Sequence, residues 1–118
     1  MKAIQPTIVL VRPQLPENIG LTARAMHNCG LNRLIIVSPK EKWPNQKAID
    51  TAANAKVIFN KAKFFNSISE AISDYNLVIA TSARKRFLRE NKFFPLYDLK
   101  KFLYKTLHYR RFLFTRIH

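Results

Sequence analysis

An α/β fold built on a parallel sheet is predicted for this chain by three observations. Short apolar runs rich in β-branched residues do not alternate in polarity, the stretches between them carry apolar residues at helical spacing, and the connections are short. The resulting order of strand, helix, strand, helix, strand is the pattern of βαβ units with right-handed crossovers. At 118 residues, with 47% hydrophobic and 24% charged side chains, the chain is expected to form one globular domain, residues 1–118, with no internal boundary before Thr81.

Thr7 to Val11 reads as the first strand, a run of the kind buried on both faces, and Arg12-Pro13-Gln14-Leu15-Pro16 ends it. From Glu17 to Cys29 a helix is predicted, with Ile19, Ala23 and Met26 on one side and Gly30-Leu31 as a left-handed cap with its hydrophobic contact. Leu34 to Val37 is the second strand, closed by Ser38-Pro39. Gln46 to Ala55 has the composition of a short helix, Val57 to Phe59 is expected as a minor strand, and Ser67 to Ser73 as another short helix. Leu77 to Ala80 is the next strand. An amphipathic helix over Leu96 to Lys105 and a further strand from Arg111 to Phe114 complete the expected elements.

The charge is the first indication of function. Twenty-one Lys and Arg against seven Asp and Glu leave +14, which points to a polyanionic partner. Nucleic acid fits better than a membrane surface, because no basic amphipathic helix stands out. Residues 1–83 hold ten basic and five acidic side chains, whereas residues 84–118 hold eleven and two, together with nine of the thirteen Phe and Tyr residues. This tail has the make-up of a surface that stacks bases and tracks phosphates, and equally that of a core-facing helix and strand. No apolar stretch nears the roughly 18–20 residues that span a bilayer. The single cysteine and the absence of a signal-like segment before Ile8 suggest a cytoplasmic protein.

One constellation carries chemistry. Pro16-Glu17-Asn18-Ile19-Gly20-Leu21-Thr22-Ala23-Arg24-Ala25-Met26 lies where a strand hands over to a helix, the place at which open α/β sheets bind ligands. Asn18 is expected to cap the helix or to offer its amide to a ligand, and Gly20 to let another backbone or a ribose approach. Arg24, four residues after Gly20, is expected beside that opening, where a guanidinium can clamp a phosphate and stabilise charge developing on a ribose oxygen. Each has an ordinary alternative, as a common cap residue, a tolerated helix glycine and a solvated arginine. His27 and His108 have no second ligand at metal spacing and are expected at the surface or in packing, Cys29 in the core, and no metal is expected. The chain has no P-loop, zinc pattern or GxGxxG.

The string Ile8-Val9-Leu10-Val11-Arg12-Pro13-Gln14-Leu15-Pro16-Glu17-Asn18-Ile19-Gly20, with Ala23-Arg24-Ala25-Met26 and Gly30-Leu31, closely resembles the first motif of SpoU/TrmH-type SPOUT methyltransferases. It is nearest to the branch that methylates a ribose 2′-hydroxyl in the tRNA anticodon loop. The likeness runs on through Leu34 to Pro39, Trp43-Pro44-Asn45, Ala48 with Ala52 to Ala55, and Asp74 to Arg84, covering about residues 6–86. The resemblance implies a Rossmann-like sheet whose C-terminal part forms a deep knot that binds S-adenosyl-L-methionine, in a homodimer with its active sites at the interface. It implies an RNA substrate, tRNA or rRNA, with no specificity for DNA. Asn18 and Arg24 would serve the target ribose and phosphate, Arg24 helping to activate the 2′-hydroxyl. Arg12, Arg84 and Arg86 would join them in holding RNA, and Thr81 and Ser82 would touch the methyl donor.

The sequence also departs from the family pattern. Gly20 and Gly30 are its only glycines, and Phe112-Leu113-Phe114-Thr115-Arg116 resembles the strand entering the second motif with Thr115 where the family has glycine. The third motif, a Ser-Leu-Asn stretch, is absent. Residues 87–118 therefore read as a divergent tail on a truncated domain, unable to finish the knotted donor pocket in cis. Three readings follow: an enzyme completed by a separately encoded C-terminal half, a noncatalytic RNA-binding module, or a decayed gene fragment. Uncovered apolar surface on Leu77 to Ala80 and Phe112 to Phe114 is a further expectation.

Overall fold

The structure, a computed structural model, describes residues 5–75 and 77–81, and the backbone of 112–116. Five strands form one parallel sheet: β1 (Thr7–Val11), β2 (Leu34–Val37), β3 (Lys63–Phe65), β4 (Leu77–Thr81) and β5 (Phe112–Arg116), in the spatial order β3-β2-β1-β5-β4. Among the described residues three α-helices lie between successive strands from β1 to β4: α1 (Pro16–Asn28), α2 (Gln46–Ala52) and α3 (Ile68–Ile72), with a 3-10 helix over Ala53–Lys61. The predicted parallel α/β sheet is thus present, and β5 lies at its heart, paired with β1 (Thr7 opposite Leu113) and with β4 (Leu77 opposite Phe112).

The unbroken apolar runs of β1 and β2 follow from burial on both sides. Ile8, Leu10, Leu34 and Ile36 face α1, α2 and the 3-10 helix, packing with Ile19, Ala23, Met26, Ala48, Ala52, Ala55 and Ile58. Val9, Val11, Ile35 and Val37 face the other way, onto Ala71, Ile68, Ile72 and Tyr75 around α3. Successive strand residues point to opposite faces, so each strand feeds both cores. At the foot of β1 the buried Thr7 hydroxyl oxygen accepts a hydrogen bond from the Tyr75 hydroxyl at 2.9 Å, which satisfies a polar group with no access to water.

α1 ends as anticipated. Gly30 takes φ +73, its N–H donates to the His27 carbonyl, and the Leu31 N–H donates to the Met26 carbonyl at 2.8 Å. Those two bonds make a Schellman cap, and Leu31 completes it by packing on the core that holds Met26. Its start differs from expectation. The N-cap is Leu15, with no side-chain cap bond and Pro16 at the first position, so Asn18 lies inside the first turn and does not cap. Asn45 does cap α2, its Oδ1 accepting from the Ala48 N–H, and Ser67 caps α3 through the Glu70 N–H.

The expected strand at Val57 to Phe59 is instead part of the 3-10 helix. α2 stops at Ala52, and the chain continues in tighter turns that carry Ala55 and Ile58, three residues apart, into the α1 core while Val57 stays 53% exposed. The minor strand forms later, as β3 on the sheet edge. Cys29 is exposed and not in the core, because the helix turn that ends at Gly30 carries it away from the buried stripe. On β4, Ile79 is buried whereas Val78 is 39% exposed and Ala80 is exposed, so the uncovered apolar surface anticipated there lies on one face. The predicted helix over 96–105 and His108 lie outside the described residues.

Gly20 is the tightest point of the fold. A Cβ there would sit 2.6 Å from the Ala48 carbonyl oxygen and 2.8 Å from the Ala52 nitrogen, both backbone atoms of α2. Gly20→Ala would gain about 1 kcal/mol of helix propensity. The forced separation of α1 from α2 outweighs that gain, so a net loss of about 1–3 kcal/mol is expected, read as a lower urea midpoint at unchanged m.

Candidate functional site

Parallel strands that all run one way bring their carboxyl ends to one rim of the sheet. On that rim stand Arg12 after β1, Ser38 after β2, and Thr81 at the end of β4, with Thr81 level with Arg116 of β5. Arg12 and Ser38 both precede a proline and both take positive φ, +49 and +44. Non-glycine residues adopt such backbone at a cost of order 1–3 kcal/mol, and it concentrates where a chain must turn sharply beside a functional site. Bonds hold both turns in place. The Arg12 N–H donates to the Val37 carbonyl at 2.8 Å, its carbonyl accepts from Gln14 Nε2 at 3.1 Å, and Ser38 donates from its N–H to Phe65 and from its hydroxyl to the Asn66 carbonyl. The sequence reading passed over Ser38 and Gln14. The Ser38-Pro39 pair, which mirrors Arg12-Pro13, is the signal that could have shown Ser38.

The Arg12 turn delivers the chain into α1, which holds both residues singled out for chemistry. Asn18 and Arg24 are exposed, and neither side chain has a hydrogen bond or ion pair among the described residues. Asn18 spends its backbone locally: its N–H donates to Leu15 and its carbonyl accepts from the Thr22 hydroxyl at 2.8 Å. Six residues separate the two, about 9 Å along the axis and about 120° around it. They therefore do not meet at one point, and a ligand that touches both must lie along the helix. Arg12 is exposed on the same rim. Ser82, Arg84 and Arg86 lie outside the described residues.

Of the two approaches expected at Gly20, another backbone or a ribose, the structure has the backbone. α2 occupies the space that a ribose would need, so Gly20 is buried as a helix-packing residue and Arg24 flanks no cleft there. Between the Arg12 turn and the loop before α2 lies a shallow depression walled by Pro13, Pro16, Ile19, Pro39 and Trp43, too tight for an enclosed ligand. Among the described residues no group of three or more His, Cys, Asp or Glu is arranged to hold a metal, and no helix is long and apolar enough to cross a membrane.

The model of the SpoU rRNA Methylase family matches residues 5–105. The chain belongs to that family. A tRNA (cytidine/uridine/adenosine-2′-O-)-methyltransferase, TrmJ, from Pseudomonas aeruginosa is 42% identical over 79 residues, 67% of this chain and 30% of that protein. A tRNA (cytidine-2′-O-)-methyltransferase TrmJ from Methanocaldococcus jannaschii is 39% identical over 93 residues, 79% of this chain and 40% of that protein. The crystal structure of TrmJ from Z. mobilis ZM4 superposes with a TM-score of 0.80 at 38% identity, covering 94% of this chain and 49% of that one. A probable methylase family protein from Haemophilus influenzae Rd KW20 gives 0.81 at 31% identity, covering 100% and 48%. This SpoU-family chain thus spans about a third of the two curated relatives and about half of the two solved chains.

The family's methyl donor can be tested against the glycines, which let a bound molecule lie against the main chain. Gly20 is filled by α2, and Gly30 is spent on the cap of α1. Neither of these two glycines is left as a cradle for the donor. An unpartnered side chain on the surface contributes little to folding. Arg24→Ala is therefore expected to change stability by less than about 0.5 kcal/mol in chemical denaturation, and a larger loss would make Arg24 a structural residue.

Proposed function

We propose that this chain is the nucleotide-facing part of an S-adenosyl-L-methionine-dependent RNA 2′-O-ribose methyltransferase, with tRNA as its substrate. The observation that carries the reading is the Arg12 turn and the start of α1 on the sheet rim, where the Asn18 amide and the Arg24 guanidinium stand exposed and unpartnered among the described residues. Family membership and the tRNA 2′-O-methyltransferases among the relatives support the chemistry. Asn18 has donor and acceptor atoms to orient a ribose. A guanidinium acts by charge and hydrogen bonding: Arg24 clamps the adjoining phosphate and stabilises the negative charge that develops on the 2′-oxygen. Arg12, Arg84 and Arg86 are assigned to neighbouring phosphates.

The donor side, to which Thr81 and Ser82 would contribute, needs permissive backbone that these 118 residues do not supply. We assign it to residues outside them. A reading as a noncatalytic RNA-binding module rests on the same rim and the +14 charge without the transfer step.

Calorimetric titration of the folded 118-residue chain with S-adenosyl-L-methionine decides the first point. No heat of binding at micromolar donor is expected, and micromolar affinity would overturn the assignment of the donor side to other residues. In an assembly that does transfer methyl groups to unmodified tRNA, Arg24→Ala is expected to lower turnover by roughly 100-fold or more, the scale of removing one oxyanion-stabilising donor. Undiminished turnover would remove Arg24 from the site.

A further inference from the structure

The net positive charge of residues 5–81 falls in one segment. Between residues 40 and 63 stand six lysines, Lys40, Lys42, Lys47, Lys56, Lys61 and Lys63, against Glu41 and Asp50. Elsewhere between residues 5 and 81 three arginines are balanced by three acids, so the surplus of that stretch belongs to this segment. All six lysines are exposed, and none of their ammonium groups has an ion pair or hydrogen bond among the described residues. The two acids are engaged with neutral neighbours, Glu41 accepting from the Asn45 amide and Asp50 from that of Gln46.

Packing draws this segment together at the β3 edge of the sheet. The Trp43 ring lies edge-on to Phe59 with centroids 4.9 Å apart and tilted against Phe64 at 5.3 Å. That contact joins the loop bearing Lys40 and Lys42 to the strand flanked by Lys61 and begun by Lys63. Phe64 is 39% exposed and Trp43 half-buried, so the aromatic pair reaches the surface amid the lysines. Lysine on an edge strand also discourages pairing with another sheet, which accounts for Lys63 but not for Lys40 or Lys42 on the preceding loop.

We propose that the β3 edge, with Trp43 and Phe64 flanked by Lys40, Lys42, Lys61 and Lys63, is a second RNA-binding surface that holds an unpaired stretch of the substrate. Bases stack on the open aromatic faces, and the lysines track the phosphates. Two strand spacings, about 10 Å, separate this edge from β1. One RNA strand can therefore reach from the edge to the Arg12 turn. The inference rests on the RNA reading given above and goes beyond it in naming a surface that takes no part in the transfer.

Trp43 is the single tryptophan of the chain and so reports on this surface alone. Titration of the 118-residue chain with an unmodified tRNA transcript is expected to quench its emission at the midpoint seen by fluorescence anisotropy of the labelled RNA. Lys61→Ala/Lys63→Ala should weaken binding about tenfold and flatten the slope of log K against log salt by about 1.4, two contacts at about 0.7 each. Phe64→Ala should weaken binding with the salt slope unchanged, which separates stacking from charge. RNA binding that neither quenches Trp43 nor responds to the lysine substitutions overturns the proposal while leaving the RNA reading intact. No RNA binding by the folded chain overturns the surface, whereas the transfer reading falls only with the turnover assay. Self-association lost in the lysine variant, at unaltered RNA affinity, would make the edge a contact between copies and also overturn it.

Discussion

The approach of α1 to α2 at Gly20 sets much of the geometry described above. With no Cβ at Gly20, the backbone of α2 lies against α1, and the residues around the contact are small: Ala23, Ala48 and Ala52. Helix separation follows the size of the side chains at the contact, so this seam brings two connections into register. The loop entering α2 carries Pro39 and Trp43 beside Pro13 and Pro16, and the start of α1 is held over the sheet rim. Gly20 is therefore a helix contact, and Asn18 and Arg24 are left on the exposed part of α1.

A consequence of that packing is an exposed and divided site. Asn18 and Arg24 stand on different sides of one helix, and Arg12 on the turn before it. Such a layout suits an extended polymer better than a small molecule, which would need the groups to converge on a pocket. The distribution of charge agrees with this. Three arginines at or near the first two strands are offset by Glu17, Glu70 and Asp74, and the lysine-rich surface lies toward the β3 edge.

Much of the fold was legible because local and global preferences coincide. β1, β2 and β4 read as strands from β-branched runs, and Gly30-Leu31 ended α1 as a Schellman cap. The strand at residues 57–59 was misread because a short apolar run has no period, and only the tertiary position of Ile58 against α1 decides for helical turns. β3 was missed for the converse reason: as an edge strand it exposes Lys63 and Phe64 and carries no continuous apolar signal. In the site, the sequence marked which residues lie at the strand-to-helix turn but not their azimuths relative to α2. Which of its two expected neighbours Gly20 meets, and whether Asn18 caps the helix, thus stayed open in the sequence, and Cys29 passed as core. The link between Tyr75 and Thr7, 68 residues apart, has no local sequence signal at all.

The order of strands in space also bears on how the chain comes off the ribosome. β5 is last in sequence but sits between β1 and β4, so each of those strands shows a bare side until residues 112–116 arrive. Thirty residues, 82–111, separate β4 from β5. At roughly 5–20 residues per second, elongation takes about 2–6 s to cross them. For that interval β1 carries one unsatisfied β-edge, central to the five-stranded sheet, and β4 has no partner strand. That is the window in which a chaperone would be needed and in which wrong strand pairing competes with the native insertion.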